Sequence, residues 1–278
     1  RDLVRSRGLG DVYKRQVFSC MLAFSSLLGN VEGQNIYRIW YDKPASYWEE
    51  ALPVGNGRIA AMVFGDPQLE QIQLNEETVS AGSPYQNYNE EAKTALPEMR
   101  RLIFEGKYEE AQNMAATKIL SQVGNEMPYQ TVGRLNIRYQ DHKKVNNYYR
   151  DLDISNAVAV TRYEVDGVEF TEETFASFTD QLVIRHIKAS KPGTINCELF
   201  FNTPMRDPKR SIYGKKGLRL EGITHGSRYF PGKVHYCADL DVKHKGGKVI
   251  TANDTLLSVQ GASELTLYIS VSYTHLTL

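Results

Sequence analysis

The chain has 278 residues, 41% of them hydrophobic and 24% charged, ordinary proportions for a soluble globular protein with ample core. Its 33 basic and 33 acidic side chains cancel, which excludes the basic footprint of a nucleic-acid or anionic-membrane binder. Its 3 Cys are too few for a disulfide framework at this length.

The opening "RDLVRSRGLGDVYKRQ", residues 1–16, does not read as the start of a protein. One permitted back-translation of "DVYKRQ" is GAT GTG TAT AAG AGA CAG. Its reverse complement, read out of register, encodes Val-Ser-Tyr-Thr-His and the start of a Leu codon, which is the run at residues 271–276. Peptides that encode each other on opposite strands resemble translated sequencing-library adapters. Residues 1–16 and 271–278 are therefore expected to be foreign, His275 among them. The first segment carries five basic and two acidic residues, so the remainder has 28 basic against 31 acidic, a net of −3.

"VFSCMLAFSSLLGN" follows, an apolar run of signal-peptide length and too short to span a bilayer. Val31 and Gly33 stand as the small residues of a cleavage site before Gln34. Residues 17–33 are expected to be a truncated signal peptide, and the protein secreted or periplasmic. A buried core helix is the competing reading, but the run has no amphipathic pattern. Cys20 precedes most of the apolar stretch, which is the wrong order for a lipoprotein site.

Residues 34–270 read as one domain made mostly of strands. "IYRIWY", "GRIAAMVFG", "LEQIQLN", "GRLNIRYQ", "AVAVTRYEV", "VEFTEETFAS", "QLVIRHIKAS", "TINCELFFNT", "VHYCADLDV", "LLSVQ" and "LTLYIS" alternate or are rich in β-branched and aromatic residues. In the last, Leu265, Leu267 and Ile269 would share a face with Val271. Asp166-Gly167 predicts a type I′ hairpin, Gly246-Gly247 the same, and Pro192-Gly193 a turn between antiparallel neighbours. Residues 89–122 interrupt with helical spacing. Pro97 suits a first helical turn, Gly106 a C′ position, and Tyr108, Ala111, Ala115 and Ile119 one helix face. The expected fold is a large antiparallel β-sandwich with a short helical insertion.

The densest stretch is "YWEEALPVGNGRIAAMVFGD", in which Pro53, Asn56 and the flanking glycines predict a tight turn before a strand. It is no phosphate loop, since it lacks Lys-Ser/Thr and a following helix. Glu76 and Glu77 are adjacent, so on a strand they point to opposite faces and cannot flank a sugar as a glycosidase pair must. A solvated turn, with Asn75 bonding locally, is the expectation there. The His residues show no ligand spacing, and no metal or cofactor is expected. Cys197 and Cys237 could pair in an oxidising compartment; two buried free thiols is the preferred reading. The 17 Tyr suit strand surfaces first and sugar stacking second.

"WYDKPASYWEEALPVGNGRIAAMVFGDPQLEQIQLNEETVSAGSPYQNYNEEAKTALPEMRRLIFEGKYEEAQ", "MPYQTVGRLNIRY" and "YYRDLDISNAVAVTRYEVDGVEFTEETFASFTDQLVIRHI" resemble, in order, the N-terminal domain of glycoside hydrolase family 95. The resemblance runs from about Ile36 to Pro204 and is looser beyond Arg206. That family contains α-L-fucosidases and some α-L-galactosidases. The resemblance implies a β-sandwich followed by a linker, an (α/α)6 barrel and a small β-domain. It implies inverting hydrolysis by a Glu general acid and a water activated through Asn side chains, all on the barrel. No residue of this chain then receives a catalytic role, and the chain alone is expected to be inactive. Its implied partners are the catalytic barrel of the same polypeptide and a fucosylated glycan. Val79-Ser80 stand where the family often has Leu-Trp, so an aromatic is absent there. The residues expected nearest substrate are Trp48, Glu49, Asn56, Arg58, Asn75 and Glu76, with a structural role the competing expectation for each. A free-standing carbohydrate-binding or adhesion module is the alternative from another class.

Overall fold

A computed structural model describes residues 37–83, 86–121, 127–227 and 230–274. The leader-like run 17–33, the adapter-like residues 1–16 and positions 275–278 lie outside the described residues. The first eight strands are β1 (Arg38–Tyr41), β2 (Leu52–Gly55), β3 (Ile59–Val63), β4 (Leu69–Glu76), β5 (Gly133–Tyr139), β6 (Asn146–Asp153), β7 (Val158–Val165) and β8 (Val168–Ser177). The rest are β9 (Leu182–Ala189), β10 (Ile195–Asn202), β11 (Arg206–Tyr213), β12 (Gly217–Ile223), β13 (His235–Lys245), β14 (Lys248–Asn253), β15 (Leu256–Ala262) and β16 (Glu264–Thr274).

All pairings are antiparallel, and they build two sheets. A 9-stranded sheet runs β1-β6-β7-β8-β9-β16-β13-β12-β11, and a 7-stranded sheet runs β14-β15-β10-β5-β4-β3-β2. Period-2 alternation decides which side chains face between them. Ile195, Cys197, Leu199 and Phe201 of β10 point inward, as do Tyr236, Ala238, Leu240 and Val242 of β13, into one core. Leu265, Leu267, Ile269 and Val271 share the inner face of β16, as their alternation predicts. That strand stays paired with β13 through Thr274. The fold is the expected antiparallel β-sandwich.

Asp166 and Gly167 have φ of 50° and 71°, the left-handed pair a type I′ turn needs, and they join β7 to β8 as a hairpin. The predicted hairpin at Gly246-Gly247 and the predicted turn between antiparallel neighbours at Pro192-Gly193 are sheet-to-sheet corners instead. Pro192-Gly193 passes the chain from β9 in one sheet to β10 in the other, and Gly246-Gly247 does so between β13 and β14. Ser263 makes a third crossing and ties them together. Its amide donates to Lys245 O at 2.8 Å, and its hydroxyl accepts from the Gly193 amide at 3.0 Å. A dipeptide sets the local bend; which strand comes next in the ladder depends on distant residues.

The helical insertion lies between β4 and β5 as α1 (Ala92–Phe104), α2 (Tyr108–Met114) and a π turn (Ala115–Ile119). Gly106 closes α1 with φ of 76°: its amide donates to Ile103 O and that of Lys107 to Leu102 O, a Schellman ending. Pro97 falls inside α1 rather than in its first turn. The helix starts earlier because Asn89 bonds the Glu91 amide at 3.0 Å and accepts Ala92 N on its carbonyl. Of the predicted face, Ala111 is buried while Tyr108 is 69% exposed. Cys197 and Cys237 are both free; the first is buried and the second half-buried.

Candidate functional site

β2 and β3 form a hairpin whose two ends separate the predicted site residues into groups. At its tip Asn56 shapes the loop, accepting from Arg58 N at 3.1 Å and Ile59 N at 2.9 Å. Its amide donates to Ser177 O at 2.8 Å, fastening the loop to the end of β8. Gly57 in that loop has φ of 93°, as the tight turn requires. Arg58 donates to Gln181 Oε1 at 2.8 Å and Val271 O at 3.1 Å, and lies 3.5 Å from Glu76. Glu76 is fully buried rather than solvated; it accepts from Thr78 N at 2.9 Å and from the Thr78 hydroxyl at 2.5 Å. Asn75 lies near Tyr129, where it counters the upward pull of burial on the Tyr129 phenol. Asn56 and Arg58 hold the hairpin tip to the far sheet, and Glu76 is occupied by Thr78 and Arg58.

The opposite end of the hairpin carries a cleft of about 590 Å³. The segment preceding β2 forms one wall with Lys43, Tyr47 and Trp48, and the β3–β4 turn and adjoining strands supply Asp66, Gln71 and Arg134. Trp48 is on a one-turn 3-10 helix (Trp48–Glu50) and is half exposed. Glu49 is exposed on the same turn and outside the cleft lining. Arg134 donates to Gln71 Oε1 at 2.6 Å and lies over the Phe64 ring at 5.6 Å. Asp66 Oδ1 accepts from Gln68 N at 2.8 Å and Leu69 N at 3.1 Å, an Asx turn that fixes the carboxylate.

A buried polar network underlies this cleft. Arg150 donates to Lys43 O and Glu50 O, each at 2.7 Å, and stacks on Tyr41 at 4.1 Å. Burial lowers its pKa from the ordinary guanidinium value. Glu70 Oε1 accepts from Phe64 N at 3.1 Å and Gly65 N at 3.0 Å, and Tyr148 donates to Gly65 O at 2.6 Å. Behind them Arg185 joins Glu70 to Glu172, and Tyr139 and Tyr163 donate to Glu172 at 2.9 and 2.8 Å. Burial pushes the Glu70 carboxyl up to about 7, against the pull of Arg185. Burial also raises the Tyr148 phenol, and the nearby Glu70 charge adds to it.

The missed residues carried a readable signal. Glu70 is in phase with Ile72 and Leu74, Glu172 with Val168 and Phe170, and Arg185 with Val183 and Ile187. The alternation that identifies each strand also places these charges on its buried face. Asp66 and Arg134 gave no such hint, because only the sheet register brings them beside Trp48.

Glu70 and Glu172 do not make a hydrolytic pair, since both are sealed in the core and share one Arg. Among the described residues the cleft lining offers one carboxylate, Asp66. Among the described residues no group of three His, Cys, Asp or Glu is placed to hold a metal ion, and no helix is long and apolar enough to cross a membrane.

Fold and site define a β-sandwich domain with an open, hydrogen-bonded cleft and, among the described residues, no acid–base pair in its lining. The family model for the glycosyl hydrolase family 65 N-terminal domain matches residues 39–275, and the chain belongs to that family. It is 37% identical over 268 residues to "Alpha-L-fucosidase 2" of Arabidopsis thaliana, covering 87% of this chain and 31% of that protein. A "Probable alpha-fucosidase A" of Aspergillus niger is 26% identical over 162 residues, which is 55% of this chain and 20% of that one. The protein of the same name from Aspergillus oryzae is 25% identical over 211 residues, 71% and 28% of the respective chains. The chain spans about a third of the first of these relatives and less of the others.

Proposed function

We propose that this chain is the N-terminal β-sandwich of a secreted, family-95-like glycoside hydrolase that removes terminal α-L-fucosyl residues from glycans with inversion. The catalytic groups then lie in a barrel elsewhere in the same polypeptide, and residues 34–270 pack against it and shape one side of its substrate approach. The observation that carries this reading is the 37% identity to a relative named for α-L-fucosidase activity, sustained over 268 residues. The chain's short span of that relative supports the assignment of the chemistry elsewhere, as does a cleft lining with a single carboxylate. The leader-like residues 17–33 support export.

The test is hydrolysis of an aryl α-L-fucoside and of 2′-fucosyllactose, by this chain and by the longer polypeptide encoded at its genomic locus. The chain alone is expected to give no turnover, and the longer polypeptide to release β-L-fucose, seen by NMR before mutarotation. Turnover by the chain alone refutes the placement of the chemistry. A longer polypeptide that spares fucosides and cleaves α-L-galactosides, or that cleaves neither, refutes the substrate.

A further inference from the structure

We propose that the cleft beside Trp48 binds a neutral pyranose residue of a glycan chain. The choice of ligand rests on the carbohydrate-active reading above; the existence of the site rests on its own geometry.

Its walls are held before any ligand arrives. Arg150 fixes the Lys43 and Glu50 carbonyls from beneath, Glu70 fixes the Phe64 and Gly65 amides, and Ala45 N donates to Phe64 O at 2.9 Å across the floor. Gly65 has φ of 74°, and a Cβ there would meet Tyr148 Oη at 2.7 Å and Arg150 Cδ at 2.9 Å. Arg150, Glu70 and Gly65 thus fix the positions of loops that would otherwise move, and a preformed site avoids the ordering cost of binding.

The lining suits a sugar ring. A pyranose has an apolar C–H face and an edge of hydroxyls that both donate and accept. Tyr47 and Trp48 line the cleft and are half exposed, aromatic surface of the kind that stacks on such a face. Asp66 is anchored through Oδ1, which leaves Oδ2 as an acceptor. The Arg134–Gln71 bond leaves the Gln71 amide nitrogen and further guanidinium N–H groups as donors. Charge gives an anion no net attraction: the lining holds Lys43, Arg134 and Asp66, and Glu50 lies 3.9 Å from Lys43, two cations against two carboxylates. The cleft's roughly 590 Å³ is within the ~300–1,000 Å³ usual for small-molecule sites. An aromatic pair elsewhere, exposed Trp40 stacked on half-buried Tyr149 at 6.3 Å, lies on the open face of the larger sheet and serves as a control.

The chain has 2 Trp, so Trp40→Phe leaves Trp48 as the sole indole. This variant is titrated with 2′-fucosyllactose, lactose and methyl α-L-fucoside, following emission and, in parallel, saturation-transfer NMR of the sugar. The expected result is a saturable change with at least one glycan. In the otherwise unaltered chain, Trp48→Ala should weaken binding roughly tenfold or more, Asp66→Asn severalfold, and Trp40→Ala not at all. Far-UV CD and melting temperature establish that each variant is folded; should Trp48→Ala fail, Asp66→Asn carries the comparison. No saturable signal with any of the three, or affinity unchanged in Asp66→Asn and Trp48→Ala, overturns the inference. Binding is read without turnover. A fucoside-cleaving longer polypeptide with an empty cleft overturns this inference alone, and a cleft that binds beside an inactive longer polypeptide overturns only the proposed function.

Discussion

Arg185 Nη2 lies 2.9 Å from Glu70 Oε2, an ion pair that joins the two sheets with both side chains wholly buried. The same nitrogen contacts Glu172, and Nη1 donates to Thr174 at 2.7 Å. Two carboxyls therefore share one guanidinium in the core, where an unpaired charge is costly. Glu172 has two phenol donors as well as Arg185, whereas Glu70 has backbone amides. Burial pushes the Glu70 carboxyl from 4.5 up to about 7, against the pull of Arg185.

That shift fixes the sign of a pH dependence. Between about pH 4.5 and 7 the unfolded chain releases this proton while the folded chain keeps it. Rising pH therefore favours the unfolded side through this group, by up to about 3 kcal/mol. In Glu70→Gln the group cannot titrate. Urea unfolding at several pH values should show the stability difference moving toward the variant by up to that amount as pH rises from 4.5 to 7.5. Whatever offset the new amide causes beside Arg185, Glu172 and Asp66, the slope decides; parallel profiles would show that Glu70 is not the titrating group.

Arg150 bears on the cleft without lining it. In Arg150→Leu the Lys43 and Glu50 carbonyls lose their buried donor, and Tyr41 loses its stacked cation. Two unsatisfied carbonyls and the lost stacking should cost about 2–4 kcal/mol. The loss should be concentrated in the segment preceding β2. Amide exchange of Ala45, bonded to Phe64 O, should quicken by at least about tenfold while core amides of β10 and β13 keep the protection order set by global stability. Uniform acceleration across the sandwich would mean that Arg150 holds the domain together rather than the cleft wall.

Most of the sandwich was legible because its strands bury one face, and alternation records that face. Three of the strands that escaped reading lack the pattern, whereas β12 escaped although Leu218 and Leu220 alternate to its buried face. β11, "RDPKRSIY", is an edge strand exposed along most of its length with Pro208 within it; its charges serve an edge that must resist pairing. β6, "NNYYRDLD", turns Arg150 inward where an apolar residue was to be expected. β2 contains Pro53 on the edge of its sheet, where a missing amide costs no ladder bond. At the site, Trp48 is one of six residues of turn and strand-end stretches expected near substrate. Its neighbours Asp66 and Arg134 are distant in sequence and meet it only through the β3–β4–β5 register.

Two glycines separate local strain from tertiary crowding. Gly57 and Gly247 both have positive φ, 93° and 60°, so an L side chain is strained at either. A Cβ on Gly57 meets nothing within 4 Å, and Gly57→Ala should cost only the backbone term, about 1–2 kcal/mol. A Cβ on Gly247 would sit 2.3 Å from Gln260 O and 2.5 Å from Gly261 O, and neither is a side chain that can swing away. Gly247 is at the corner where β13 leaves one sheet and β14 enters the other, so relief requires the two chain crossings to part. Gly247→Ala should therefore cost about 3 kcal/mol or more. Equilibrium urea unfolding of the pair measures the difference. Equal costs would mean that the corner has slack, and that Gly246-Gly247 acts as a plain turn.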